Sequence, residues 1–174
     1  LSMTSLLFVA GHETTVNLIG NGIHALLRHP EQLELVRTDG SVDETVADEL
    51  LRYDSPVQTS GRRVMHDVEV ADQVIPSGEM VLTALGSANR DPRFWGGTAD
   101  ELDVTRGDAN RHVSFGSGVH HCLGAALARM EGEISITRLV RRFPDLVLAD
   151  EPTFNARIIL RGREVLPVRL GSAA

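Results

Sequence analysis

The sequence predicts a mainly α-helical chain carrying small antiparallel β-sheets, an α+β arrangement, on three observations. Residues 1–29 and 125–143 repeat apolar side chains at helical spacing over lengths that strands do not reach. Residues 30–54 hold two shorter helical patterns punctuated by Pro30, Asp39-Gly40 and Ser55-Pro56. Residues 56–85 and 145–170 fall instead into short runs of period two broken by turn residues such as Pro76-Ser77-Gly78.

In the first helix Leu6, Leu7, Val9 and Ala10, then Leu18, Ile19, Ile23, Leu26 and Leu27, mark the apolar face, and Pro30 marks its end. No cap signal precedes it, so the chain is expected to begin inside a helix. Its middle, Ala10-Gly11-His12-Glu13-Thr14-Thr15, interrupts the leucine pattern with an acid and hydroxyls. Either Thr14 and Thr15 bond back to carbonyls one turn earlier, or the helix opens locally beside a ligand.

Pro30 suits a first helical position, with Leu33 and Val36 facing inward. Ser41-Val42-Asp43-Glu44 reads as a capping box that opens a third helix running to Tyr53. Within it Glu49 and Arg52 stand at i,i+3, a spacing that on a solvated face gives only a weak ion pair. Val57–Val64, Val68–Val70, Val74-Ile75 and Val81–Ala84 are expected to form one small antiparallel sheet. Residues 86–111 show almost no period and read as a wrapped loop. Residues 112–124 form a Gly-rich loop, and 125–143 form a helix with Leu127, Met130, Ile134, Leu139 and Val140 on its apolar side. Leu146–Leu148, Ala156–Leu160 and Val165–Leu170 are the expected closing strands, with Arg161-Gly162 as a turn.

The chain has 174 residues, 42% of them hydrophobic and 24% charged, the composition of a globular protein able to bury a core. Its formal net charge of -7 argues against nucleic acid as a partner. No run of eighteen apolar residues predicts a membrane span, no signal peptide is legible, and a cytoplasmic location is the simplest reading. All 17 basic residues are arginine.

The chemistry centres on Phe115-Gly116-Ser117-Gly118-Val119-His120-His121-Cys122-Leu123-Gly124, which holds the only cysteine. A lone thiol is a small buried apolar residue, a nucleophile or a metal ligand. The glycines let the backbone approach something flat and bulky, and the following helix puts Cys122 near an N-terminus whose N–H groups favour a thiolate. His120 or His121 could serve as base in a Cys/His acyl-transfer enzyme. One cysteine with two adjacent histidines is a poor match to a zinc site.

Phe115-x-x-Gly118-x-x-x-Cys122-x-Gly124 resembles the haem-binding signature of the cytochrome P450 family, the haem-thiolate monooxygenases. Four further segments resemble the family in the same order: Ala10–Thr15, Glu49–Arg52, Ala88–Pro92 and the terminal strands. The resemblance implies the C-terminal part of a P450 fold, one domain beginning inside the long distal helix, in a family whose members run to more than twice this length. It implies haem b as cofactor and Cys122 as iron ligand, with Phe115, Gly116, His120, Gly124 and Arg62 as further haem contacts, His120 and Arg62 at the propionates. Glu13 and Thr14 would deliver protons to iron-bound dioxygen. Glu49 and Arg52 would form a buried structural network joined by Arg90 or Arg106, and Thr59 and Ser60 would line the substrate pocket. His112 is the lesser choice for the proximal side. The implied reaction inserts one atom of dioxygen into a small hydrophobic organic substrate. Because no nucleotide fingerprint is present, ferredoxin and its reductase are the expected electron donors, with Arg111 and Arg129 contributing to docking. The competing expectation is a truncated chain that keeps these motifs and cannot retain haem.

Overall fold

The computed structural model describes residues 3–173. Among the described residues six helices and eight short strands follow one another: α1 (Met3–Arg28), α2 (Pro30–Thr38), α3 (Asp43–Tyr53), β1 (Thr59–Arg63), β2 (Val68–Val70), β3 (Gln73–Ile75), β4 (Met80–Ala84), α4 (Leu85–Ala88), α5 (Pro92–Trp95), α6 (Ala125–Arg142), β5 (Val147–Leu148), β6 (Thr153–Phe154), β7 (Arg163–Val165) and β8 (Val168–Arg169).

The core lies where α1, α3 and α6 meet, with α2 laid across α6. Leu18, Ile23 and Leu26 from α1, Val46, Leu50 and Leu51 from α3, and Ile136 and Val140 from α6 are all buried in one cluster. Two glycines allow the close approach of α1 to its partners. A Cβ on Gly132 of α6 would stand 2.8 Å from Leu18 Cδ2, and one on Gly22 of α1 would stand 2.9 Å from both Ile136 Cδ1 and Leu50 Cδ1. Ion pairs pin the rim: Arg141 of α6 donates to Asp43 of α3 at 2.5 and 2.9 Å and to the Val36 carbonyl of α2 at 3.0 Å.

Several expectations need correction. The capping box does not form; Gly40–Val42 makes a 3-10 turn capped by the Asp39 carboxylate, which accepts from the Ser41 amide at 2.8 Å, and α3 starts directly from that turn. The region after Pro56 is two separate antiparallel ladders, β1 with β4 and β2 with β3, rather than one sheet. Residues 86–111 contain α4, α5 and tight 3-10 turns that bury Trp95, Ala99, Leu102 and Val104, so an aperiodic sequence here wraps an ordered path. Among the closing strands, Thr153–Phe154 pairs with β7 and β5 pairs with β8, whereas 156–160 is irregular apart from a bridge between Leu160 and Val57. On α6 the expected apolar side splits in two. Ile136 and Val140 face the core, while Leu127, Met130 and Ile134 are exposed.

Candidate functional site

Cys122 is exposed at the end of a loop that α6 follows immediately. The loop turns twice through the left-handed region, at Gly116 (φ 70°) and Gly118 (φ 73°), a conformation that side-chain-bearing residues adopt only at a cost. It is closed by the Cys122 amide, which donates to the Phe115 carbonyl at 2.9 Å, and by the His121 amide, which donates to the Gly118 carbonyl at 3.0 Å. A Cβ on Gly124 would lie 3.9 Å from Cys122 Sγ, so the glycine keeps one flank of the sulfur uncrowded. His120 is exposed on the 3-10 turn Gly118–His120, and the His121 ring sits 6.3 Å from that of Phe115.

Beneath the loop lies a buried polar network that the sequence reading did not assemble. The Ser114 amide donates to His112 Nδ1 at 3.1 Å, which puts the imidazole proton on Nε2, and Nε2 donates to Asp48 Oδ1 at 2.9 Å. Arg129 Nε donates to the same oxygen at 2.7 Å. Its guanidinium lies over the Phe115 ring, 4.7 Å from the centroid, and His112 flanks that ring at 5.4 Å. Burial raises the Asp48 carboxyl, but the hydrogen bonds from His112 and Arg129 outweigh it and hold the group below 3.8. Asn89 supports the same strand of loop, accepting from the Val113 amide at 2.8 Å and donating to Ser114 Oγ at 2.7 Å. The available signal was an acid at position 48 amid inward-facing Val46, Ala47, Leu50 and Leu51, a placement that requires a partner.

Next to Asp48 on α3, Glu49 forms a bidentate pair with Arg52, one turn on, at 2.7 and 2.8 Å, with both side chains fully buried. All five guanidinium N–H groups are used, the other three on the carbonyls of Asn89, Ala99 and Glu101. Glu49 Oε1 also accepts from the Asp103 amide at 2.8 Å. Between the two arginines left open by the sequence, Arg106 is the third member, with Nε 3.4 Å from Glu49 Oε2; Arg90 instead stacks on Tyr53.

On α1 the helix runs unbroken through Ala10–Thr15, so the expected local opening is absent from the backbone. Thr14 Oγ1 donates to the Ala10 carbonyl at 2.7 Å, the back-bonding alternative, and Glu13 is ion-paired with Arg157. Arg62 is exposed on β1 and folds back along its own strand, donating to Ser60 Oγ at 2.5 Å and to the Gly61 carbonyl at 2.8 Å. Arg129 is drawn inward to Asp48, whereas Arg111 stays outside near Asp108 and over Phe94. A separate polar cavity of about 330 Å³ is lined by His24, Arg28, Tyr53, Asp54, Arg161 and Arg163 among others; of the candidate site residues singled out from sequence only Arg90 reaches it. No helix among the described residues is long and apolar enough to cross a membrane.

A sequence model described as cytochrome P450 matches residues 41–155. The chain belongs to the cytochrome P450 family. Similar P450s include cytochrome P450 107B1 of Saccharopolyspora erythraea, 48% identical over 177 residues, an alignment that takes in 99% of this chain and 43% of that protein. Vitamin D(3) 25-hydroxylase of Pseudonocardia autotrophica is 47% identical, with 98% of this chain aligned to 43% of its length. The solved structure of the polyketide P450 PksS from Bacillus subtilis superposes with a TM-score of 0.92 at 44% identity, covering 98% of this chain and 45% of that one. The chain thus spans under half the length of the P450 relatives it matches.

Haem is the cofactor of this family, and the residues present fit it. Cys122 offers a soft sulfur donor, uncrowded on the Gly124 side, and the neighbouring Val119 and Leu123 are 98% and 85% exposed, apolar surface that a macrocycle would cover.

Proposed function

We propose that this chain forms the haem-ligating part of a monooxygenase that inserts one atom of dioxygen into a small hydrophobic organic substrate. The observation that carries the reading is the exposed Cys122 on a glycine-turned loop, its amide tied back to Phe115 and its backbone leading straight into α6. When bound, haem supplies dioxygen activation, with one oxygen atom passing to substrate and the other leaving as water. Cys122 would hold the haem iron through its sulfur, as a strong electron donor to the metal. Phe115, Gly116 and Gly124 shape the backbone and the flanks of that sulfur, and His120 and Arg62 take the propionates. For Arg62 this means exchanging its present partner Ser60 for a carboxylate.

On α1, Glu13 and Thr14 carry the proton-delivery role. The Thr14 hydroxyl donates to Ala10 and keeps its own lone pairs available, while Glu13 is ion-paired with Arg157 and would have to leave that partner to relay a proton. Glu49, Arg52 and Arg106 fix α3 to the path that leads into the loop, a structural role. Electrons come from a ferredoxin and its reductase, and the protein works in the cytoplasm. The substrate class follows the hydrophobic ligands named for similar proteins, among them vitamin D(3) for one relative and testosterone for one solved P450.

The test is the ferrous carbon-monoxide difference spectrum of the haem-supplemented protein beside a Cys122→Ala control. A red-shifted Soret band that is lost in the control is expected. A haem-bound protein whose spectrum is the same with and without Cys122 refutes the assignment.

A further inference from the structure

The distant helix α3 meets the start of the Cys122 loop and the α6 helix that follows it, and a single carboxylate joins all three. Asp48 on α3 accepts through Oδ1 from His112 at the loop entrance (2.9 Å) and from Arg129 on α6 (2.7 Å). Both donors then press on the same ring, His112 at 5.4 Å and Arg129 at 4.7 Å from Phe115. Phe115 is also the residue whose carbonyl receives the Cys122 amide. A displacement of the Phe115 ring therefore moves the acceptor that sets the cysteine's backbone. His112 is itself aimed by the Ser114 amide on Nδ1, and Ser114 Oγ donates to the Leu51 carbonyl at 2.8 Å, so the imidazole has one orientation available to it.

We infer that Asp48 is a positioning residue for Cys122: by holding His112 and Arg129 against the Phe115 ring, it fixes the carbonyl to which the cysteine amide is tied. The charges balance locally. The Asp48 carboxylate is met by one permanent cation, Arg129, and by the Nε2–H of His112, so both bonds to Oδ1 come from donors. Arg129 is thereby committed to the interior through Nε, with its side chain 34% exposed. This leaves a surface role in partner docking to its remaining edge. The inference takes the importance of Cys122 from the function proposed above, but its test reads the loop itself and does not require haem.

The measurement is amide hydrogen exchange across 112–124 in the full chain, comparing Asp48→Asn, Asp48→Glu and Arg129→Gln. Asp43→Asn serves as control, because it breaks another ion pair between α3 and α6, to Arg141, away from the loop. Losing one charge-assisted hydrogen bond should speed exchange of the Cys122 amide by about tenfold in Asp48→Asn and in Arg129→Gln. Asp48→Glu should restore most of the protection, and Asp43→Asn should leave the Cys122 amide unchanged while lowering global stability. Arg129→Gln, at a partly exposed site, keeps the test available if Asp48→Asn does not fold. Unchanged Cys122 exchange in the two loop variants overturns the inference, as does an equal change in Asp43→Asn. A normal carbon-monoxide band lost with Cys122, alongside unchanged exchange, would leave the haem assignment standing and remove Asp48 alone.

Discussion

Replacing Arg52 with methionine tests the central buried pair. The substitution removes five donors at once: two from Glu49 and one each from the carbonyls of Asn89, Ala99 and Glu101. Glu49 keeps the Asp103 amide at 2.8 Å and Arg106 at 3.4 Å, which compensates part of its charge. Stranding one partner of a buried pair costs about 3–5 kcal/mol. Each orphaned buried carbonyl adds on the order of 1 kcal/mol. The expected loss, about 5 kcal/mol or more, is comparable with the whole stability of an ordinary domain. Urea unfolding should be followed by far-UV circular dichroism together with the fluorescence of Trp95, the only tryptophan, which is buried with Arg52 5.3 Å from its ring centroid. Glu49→Met/Arg52→Met removes the stranded charge, so it should cost at least about 2 kcal/mol less than the sum of the two single variants. A loss below about 1 kcal/mol in Arg52→Met, or strict additivity in the double variant, would refute the reasoning.

Glu13→Gln should slow coupled turnover with an added ferredoxin and reductase by about 100-fold and leave the carbon-monoxide spectrum intact, since a proton-relay carboxyl acts after ligation; unchanged turnover would count against its role. His24 is held below its ordinary 6.5 by burial first, then by Arg163 and Arg28, against the opposing pull of Asp54 and Glu151. A base with a depressed folded pKa leaves the unfolded chain binding more protons between that pKa and the ordinary 6.5, so stability should be level above about pH 6.5 and fall as the pH drops from there toward the folded pKa. Subtracting the stability profile of His24→Gln from that of the wild type should isolate this slope; parallel profiles would contradict it. Gly132→Ala should cost about 1–3 kcal/mol, because its new methyl meets Leu18 at 2.8 Å, and thermal unfolding gives the value directly.

Helix extents and the family resemblance were the most legible parts of the sequence. α2, α3 and α6 end within two residues of the positions marked by Asp39-Gly40, Ser55-Pro56 and Pro144, because glycine and proline strongly disfavour continuation whatever the tertiary setting. Most of the failures are non-local, with one exception at the start of α3. The capping box lost to a 3-10 turn that Asp39 caps just upstream. Exposure of Leu127, Met130 and Ile134 could not be told from burial, since periodicity records that a face is apolar but not what covers it. Glu49 and Arg52 look like a routine surface pair until Asn89, Ala99 and Glu101 arrive from 37 or more residues away. Asp48, His112 and Arg129 are spread over 81 residues, and each alone reads as an ordinary polar position.

The glycine-mediated seam between α1 and α6 bears on how such chains diversify. α1 carries Glu13 and Thr14, and α6 begins three residues after Cys122, so the two sides of the proposed chemistry sit on helices that touch through Leu18 and Gly132. The gap between them is therefore a property of rigid bodies in contact, insensitive to the hairpins around them. Segments such as β2–β3, or the exposed Ile158 and Ile159, can change without altering it. α1, α3 and α6 have to be inherited as a set, and recombination among relatives is tolerated where it exchanges the periphery and leaves that trio from one parent.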